Sequence, residues 1–257
     1  MIRTGLLSIT FRSMSPEAIA ALAAEAGLEG IEWGGDLHVP HGDAEAARRV
    51  ARLTVEAGLA VAAYGSYYRI GVEQPYSFDD VLASASALGA PAVRVWAGDR
   101  GSAVADGAWR ALATSEANRI AEAAAREGIV VCLEYHANTL TDTCDSTIRL
   151  LQEAEHSNLK TLWQPSIGLS PEQRLADLKR VAPWLEYVHT YHWKDRDRLP
   201  LADGVEEWRH YLKELDALPG DRYALLEFVR GDDPAQLADD AKALRRLAAD
   251  VSGGGRA

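Results

Sequence analysis

The chain has 257 residues, 47% of them apolar, enough to bury a sizeable core in one domain or two. Against 27 Lys and Arg stand 38 Asp and Glu, and the formal net charge of -11 repels phosphate backbones and anionic lipid, which argues against nucleic-acid and membrane partners and for a small-molecule substrate. Two cysteines, Cys132 and Cys144, are too few for a disulfide framework, no run approaches the roughly 20 apolar residues of a membrane span, and no signal-like stretch follows Met1, so a cytoplasmic protein is expected.

Short apolar runs alternate with helical stretches along the chain. The first strand is predicted over residues 6–11, followed by a helix announced by Ser15-Pro16-Glu17, a cap residue before a first-turn proline and an acid. A second strand over 30–34 precedes a helix over 43–57, a third over 61–67 precedes one over 78–88, and a fourth over 92–97 precedes one over 109–126. The fifth strand, 129–135, leads to a helix over 147–156. The sixth, 160–164, leads to a helix opened by Ser170-Pro171-Glu172, where Gln173 completes a capping box. The seventh, 187–193, leads to a helix over 205–215, and the eighth, 223–229, to one over 234–249. Gly27, Gly58, Gly89 and Gly128 stand where left-handed C-caps are needed. Eight strand–helix units in about 250 residues predict an α/β fold, a single-domain (β/α)8 TIM barrel over residues 1–251. The alternative, an open doubly wound sheet, normally carries a Gly-rich first turn, and residues 10–14 contain no glycine. The glycine-rich segment 252–257 reads as a flexible tail.

Reactive groups in such a barrel collect at the C-terminal ends of the strands. Glu134 closes the apolar fifth strand and Glu227 the eighth, poor choices for packing because an unpaired buried carboxylate is costly. Gln164 ends the sixth strand, and the seventh carries two histidines, His189 and His192. Together they form an oxygen/nitrogen set suited to Mn2+, Mg2+, Co2+ or Zn2+ with open positions for substrate. Alternatively, the two glutamates pair with an arginine inside the barrel, such as Arg94.

The eight-strand pattern, Leu133-Glu134-Tyr135-His136, His192-Trp193-Lys194-Asp195, Leu226-Glu227-Phe228 and the segment 27–33 around the second strand resemble the xylose isomerase-like barrel superfamily over nearly the whole chain. That superfamily includes sugar isomerases, ketose 3-epimerases, inosose dehydratases and AP endonucleases. The resemblance implies one divalent metal held by Glu, Asp, His and Glu from strands five to eight, here Glu134, Gln164, His192 and Glu227. His192 matches rather than His189 because the family's histidine stands three residues before an acid, here Asp195. Arg198 occupies the position of an arginine that the epimerases carry six residues beyond that histidine. Gln164 departs from the expected aspartate, Ile167 from a histidine of the epimerases, and Leu140 from a further glutamate.

The implied activity is that of a metal-dependent isomerase or epimerase of sugars or related polyol and keto compounds. Glu134 and Glu227 would exchange a proton beside a carbonyl through an enediolate. A lyase or C-glycoside-cleaving enzyme needs the same first step, and a metal-free sugar-binding barrel would follow from loss of the aspartate. AP endonuclease chemistry needs further metal ligands and a basic face, which the charge opposes. His136 shares the face of Glu134, and Arg12 and Arg94 would bind an anionic group or neutralise the glutamates. Trp33, Trp96, Trp163 and Trp193 stand at strand ends, as sugar-stacking walls or as packing. Asp36, His38 and His41 have metal-like spacing in a loop, Tyr64, Tyr67 and Tyr68 read as a lid, and a homo-oligomer is left open.

Overall fold

The structure is a computed structural model that describes residues 1–253. Eight parallel strands close into a barrel: β1 (Ile2–Leu7), β2 (Gly30–Gly34), β3 (Ala60–Arg69), β4 (Ala92–Trp96), β5 (Val130–Leu133), β6 (Leu159–Trp163), β7 (Leu185–Thr190) and β10 (Arg222–Leu226). The intervening β8 (His192–Lys194) and β9 (Asp197–Leu199) form a separate antiparallel hairpin. Helices α1 (Pro16–Glu25), α2 (Ala44–Glu56), α3 (Phe78–Leu88), α4 (Gly107–Arg126), α5 (Cys144–Ala154), α6 (Pro171–Val181), α7 (Val205–Asp216) and α8 (Pro234–Gly253) make the outer ring. No helix among the described residues is long and apolar enough to cross a membrane.

The capping residues act as the sequence leads one to expect. The Ser15 side chain accepts from the Ala18 amide ahead of Pro16, and Ser170 and Gln173 form a reciprocal capping box. Gly89 ends α3 at φ 72°, a conformation that costs an L side chain energy and glycine nothing.

Several boundaries differ; the fifth and eighth barrel strands, for instance, end at Leu133 and Leu226, short of the expected 135 and 229. The first strand starts earlier, because pairing with β10 from Ile2↔Arg222 to Leu6↔Leu226 sets its span, and Ser8–Phe11 turn into a 3-10 segment. The seventh strand stops at Thr190. The fifth helix begins three residues sooner than expected, at Cys144, under the Thr143 cap. The last helix continues through Gly253, into the segment expected to be tail; residues 254–257 lie outside the described part of the chain.

The strand period of two divides the core into two shells. Ala92, Cys132, Leu162, Tyr187 and Leu225 point inward and fill the lower barrel, while Val93, Val95, Val131, Leu133 and Trp163 face the helices. Trp33 and Trp163, expected as substrate walls or packing, are core. Trp33 donates from Nε1 to Thr54 of α2 at 3.0 Å, and Trp163 meets Trp208 and Tyr211 of α7 edge-on at centroid distances of 6.3 and 5.0 Å. The reason is parity: Glu32 points into the barrel, so its neighbour Trp33 must point out. Truncating Trp163 to Ala is expected to cost about 3–5 kcal/mol in urea unfolding while leaving the pocket residues in place. A loss under about 1 kcal/mol would mean that it does not pack as described.

A candidate active site at the mouth of the barrel

Two residues beyond each inward-facing residue of the lower layer, the side chain again faces inward, now near the strand's C-terminal end. Stepping from Ala92, Cys132, Leu162, Tyr187 and Leu225 gives Arg94, Glu134, Gln164, His189 and Glu227. On β2 the same layer holds Glu32. Five of these six side chains belong to residues less than a tenth exposed: Glu32, Arg94, Glu134, His189 and Glu227.

They form one continuous network. Arg94 donates from Nε to Glu32 Oε1 at 2.6 Å and from Nη1 to Glu134 Oε2, which also accepts from Trp96 Nε1. His189 Nε2 lies 3.0 Å from Glu32 Oε2; its Nδ1 lies 3.1 Å from Gln164 Oε1 and 3.4 Å from Glu227 Oε2. Gln164 Nε2 donates to the Tyr135 carbonyl at 2.8 Å, which orients the amide with its oxygen toward the cluster. Space for the ion pair comes from Gly65 of β3: a Cβ there would stand 2.5 Å from Arg94 Nη2 and 2.7 Å from Glu32 Oε1.

Burial alone would neutralise these groups, and their neighbours decide otherwise. Burial pushes the Glu32 carboxyl up, but Arg94 and His189 together hold it down, at about 2. For Glu134, burial likewise opposes ionisation and is outweighed first by Arg94, then by His189, so its carboxyl stays below the usual range. Burial pushes His189 down, but Glu227 and Glu32 raise it to about 9. At neutral pH the imidazolium therefore donates from both ring nitrogens. Three carboxylates face two cations, a balance that leaves room for added positive charge.

Above the network opens a cavity of about 580 Å³. Arg94, Glu134, Gln164 and Glu227 form its floor, and Arg12, Trp96, His136, Tyr191, Trp193 and Phe228 contribute to its walls. His136 stacks on Trp96 at 4.4 Å between ring centroids, and its Nδ1 donates to the Ala137 carbonyl at 2.8 Å. Three wall residues, Tyr67, Asn138 and Phe228, hold left-handed backbones at φ 57°, 61° and 57°. Such conformations cost about 1–3 kcal/mol each and persist only where the surroundings impose them.

The expected quartet is thus brought together in three of its members, Glu134, Gln164 and Glu227. The imidazole beside them is that of His189, not His192. β7 ends at Thr190, and His192 opens the β8–β9 hairpin, where it pairs with Leu199, away from the cluster. Arg198, expected to contact substrate, is absent from the cavity lining; the hairpin pairs it with Trp193, and its guanidinium lies over Phe228 at 4.3 Å and binds Asp232. Arg12, Trp96 and His136 do line the cavity, with Arg12 paired to Asp36. Arg94 serves both of its expected alternatives, lining the floor and neutralising glutamate. The loop residues do not form a metal group: His38 bonds Ser8 Oγ at 2.9 Å, and His41 meets the Tyr64 hydroxyl at 2.7 Å. Of the lid tyrosines only Tyr67 lines the cavity; Tyr64 and Tyr68 are buried in the core. Glu32 was missed although it repeats the signal that exposed Glu134 and Glu227, an acid within an apolar strand.

The donor set fits a divalent cation. Glu134, His189 and Glu227 each offer one ligand atom within 4.8 Å of the others, and the Gln164 amide oxygen faces the same His189 nitrogen. An amide binds hard cations less strongly than a carboxylate. Gln164→Asp is therefore expected to bind Mn2+ at least tenfold tighter by titration calorimetry, and an unchanged affinity would remove Gln164 from the set. A second expectation concerns the metal-free protein. The folded value of about 9 for His189 lies above its unfolded 6.5, so its stabilising contribution is complete below about pH 6.5 and is lost as pH rises through 9. The urea midpoint should fall over that window and His189→Gln should flatten the fall; parallel slopes would contradict the imidazolium.

Relatives agree with this architecture. Residues 20–247 match the family model described as xylose isomerase-like TIM barrel. The chain is 29% identical over 217 residues to a 3-dehydroshikimate dehydratase of Bacillus anthracis, a span of 77% of this chain and 74% of the relative. Among solved structures it resembles the probable 3-DHS dehydratase of petrobactin synthesis from Bacillus anthracis, with a TM-score of 0.81 and 23% identity over 95% of this chain and 99% of the other. It also resembles D-psicose 3-epimerase from Clostridium cellulolyticum H10, with a TM-score of 0.75 and 15% identity over 97% and 99% of the two chains. At those identities the structural likenesses establish the fold, and the family match, which spans most of the chain, establishes descent: the chain belongs to the xylose isomerase-like TIM barrel family.

Proposed function

We propose that this protein is a dehydratase-type lyase, which removes a proton beside the carbonyl of a small hydroxylated keto compound and expels a neighbouring hydroxyl as water. The observation that carries this reading is the asymmetry of the two floor carboxylates. Glu134 is fixed as an anion by Arg94 and Trp96, whereas Glu227 meets no arginine and lines the open cavity. The likeness to a 3-dehydroshikimate dehydratase at 29% identity supports elimination over other outcomes of the same proton transfer.

Glu134, His189, Glu227 and the Gln164 amide oxygen would hold a divalent cation, which supplies Lewis-acid polarisation of the substrate carbonyl. Glu134 enters as a fixed negative charge rather than as a base. Elimination requires one group to take the C–H proton and another to protonate the departing hydroxyl. Glu227 and His136 are assigned to these tasks. With Nδ1–H of His136 spent on the Ala137 carbonyl, its Nε2 remains to exchange a proton. Trp96 and Trp193 provide apolar walls for a ring, and Arg12 at the mouth provides a cation for an acidic substituent.

Isomerisation or epimerisation is the second reading, and one observation favours it: Glu134 and Glu227 both line the one cavity, as proton exchange on two sides of a carbon requires. Against the ketohexose epimerases stands Ile167, exposed at the cavity wall where they carry a histidine.

Incubation of the Mn2+-loaded protein with 3-dehydroshikimate, a cyclic hydroxylated keto-acid, is expected to yield an aromatic product visible by its near-ultraviolet absorbance. Glu227→Gln should lower kcat by about 10²–10⁴-fold without loss of fold. A protein that epimerises ketoses and leaves the keto-acid intact would favour the second reading. A Glu227→Gln variant of full activity would remove that residue from the mechanism.

A further inference from the structure

We propose that Glu32 is the positioning residue of this centre: its two oxygens aim the Arg94 guanidinium and the His189 imidazole, so that His189 offers Nδ1 to a divalent cation. The inference rests on the metal-assisted reading of the site given above and assigns a task to a residue outside the donor set.

The geometry is specific. Glu32 is 1% exposed and stands on β2, across the barrel from His189 on β7 and from the donors just past the ends of β5, β6 and β10. Each of its oxygens has a charged partner, Oε1 with Arg94 Nε at 2.6 Å and Oε2 with His189 Nε2 at 3.0 Å. The bare Gly65 backbone makes room for this pair, since a Cβ there would overlap both Arg94 Nη2 and Glu32 Oε1. A carboxylate accepts hydrogen bonds and cannot donate them, so Glu32 keeps the proton of His189 on Nε2. Nδ1 is then the nitrogen whose lone pair is released when a cation displaces its proton, and Nδ1 is the atom facing Gln164 Oε1 and Glu227. Through the Arg94 arm, the same carboxylate steadies the guanidinium that grips Glu134. One side chain thus sets the direction of two donors at once. Carboxylates behind metal-bound histidines act in this way in general, and their removal typically weakens metal binding 10–100-fold.

In Glu32→Gln, Arg94 Nε claims the amide oxygen, and the amide NH2 is left facing His189 Nε2. Two donors would then oppose each other, and the ring must shift its proton to Nδ1 or swing away. With Zn2+ as a diamagnetic probe, titration calorimetry should show a 10–100-fold weaker affinity in Glu32→Gln. Long-range 1H–15N spectra of the Zn2+-loaded wild type should show His189 protonated at Nε2 and metal-shifted at Nδ1. Wild-type affinity in a folded Glu32→Gln variant, or a wild-type spectrum with the proton on Nδ1, overturns the positioning role. Should the variant fail to fold, the wild-type spectrum decides alone. A wild-type protein that takes up no Zn2+ overturns both this role and the metal-assisted reading. Neither measurement depends on turnover, so an unreactive substrate panel would sink the dehydratase reading and leave this inference standing.

Discussion

Burying a guanidinium is so costly that its surroundings must be arranged around it. Arg94, 1% exposed, lies between Glu32 and Glu134, and this contact constrains the barrel mouth. The arginine requires two carboxylates, one on β2 and one beyond β5. Its width requires Gly65 on the strand between. Glu32, once committed, requires a second cation for its other oxygen, which His189 supplies. His189 in turn requires acceptors on its far side, and Gln164 and Glu227 meet it there. Any one of these groups left without its partners would carry a desolvation penalty of several kcal/mol. The network therefore stands or falls as a unit, and the geometry of the floor follows from charge pairing rather than from shape alone.

Much of this was legible from the residues. The eight strand–helix units emerged from period and caps, because Ser15-Pro16, Ser170-Pro171 and Gly89 act locally. Glu134 and Glu227 betrayed themselves as acids closing apolar strands. The choice between His189 and His192 was the harder matter. The motif spacing to Asp195 favours His192, whereas alternation from Tyr187 favours His189, and β7 keeps its alternation until Thr190. Parity within a strand is enforced by the barrel wall; spacing in a loop is not. The same parity removes Trp33 from the cavity and would have placed Glu32 in it. Arg198 was illegible for another reason: its direction depends on an antiparallel hairpin between two barrel units, whose turn has no strong sequence signature.

The division into layers also separates stability from chemistry. The lower barrel and the helix interface are packed with aliphatic and aromatic side chains, including the Trp163, Trp208 and Tyr211 group. That mass anchors the strands whose ends carry the charged network. The cavity walls, by contrast, include left-handed residues at Tyr67, Asn138 and Phe228, where backbone strain is sustained by the scaffold beneath.

The β8–β9 hairpin bears on how this barrel could change what its cavity admits. It is two strands of three residues each, inserted between β7, which carries His189, and the helix that follows. It reaches the cavity through Trp193 and is moored by Arg198 to Phe228 and Asp232. None of the six residues of the inward-facing network lies on it. Lengthening, shortening or exchanging this ribbon would remodel the wall of the cavity and leave the charge network untouched. The hairpin is thus a module on which the cavity's shape can drift while the charged network below is inherited unchanged.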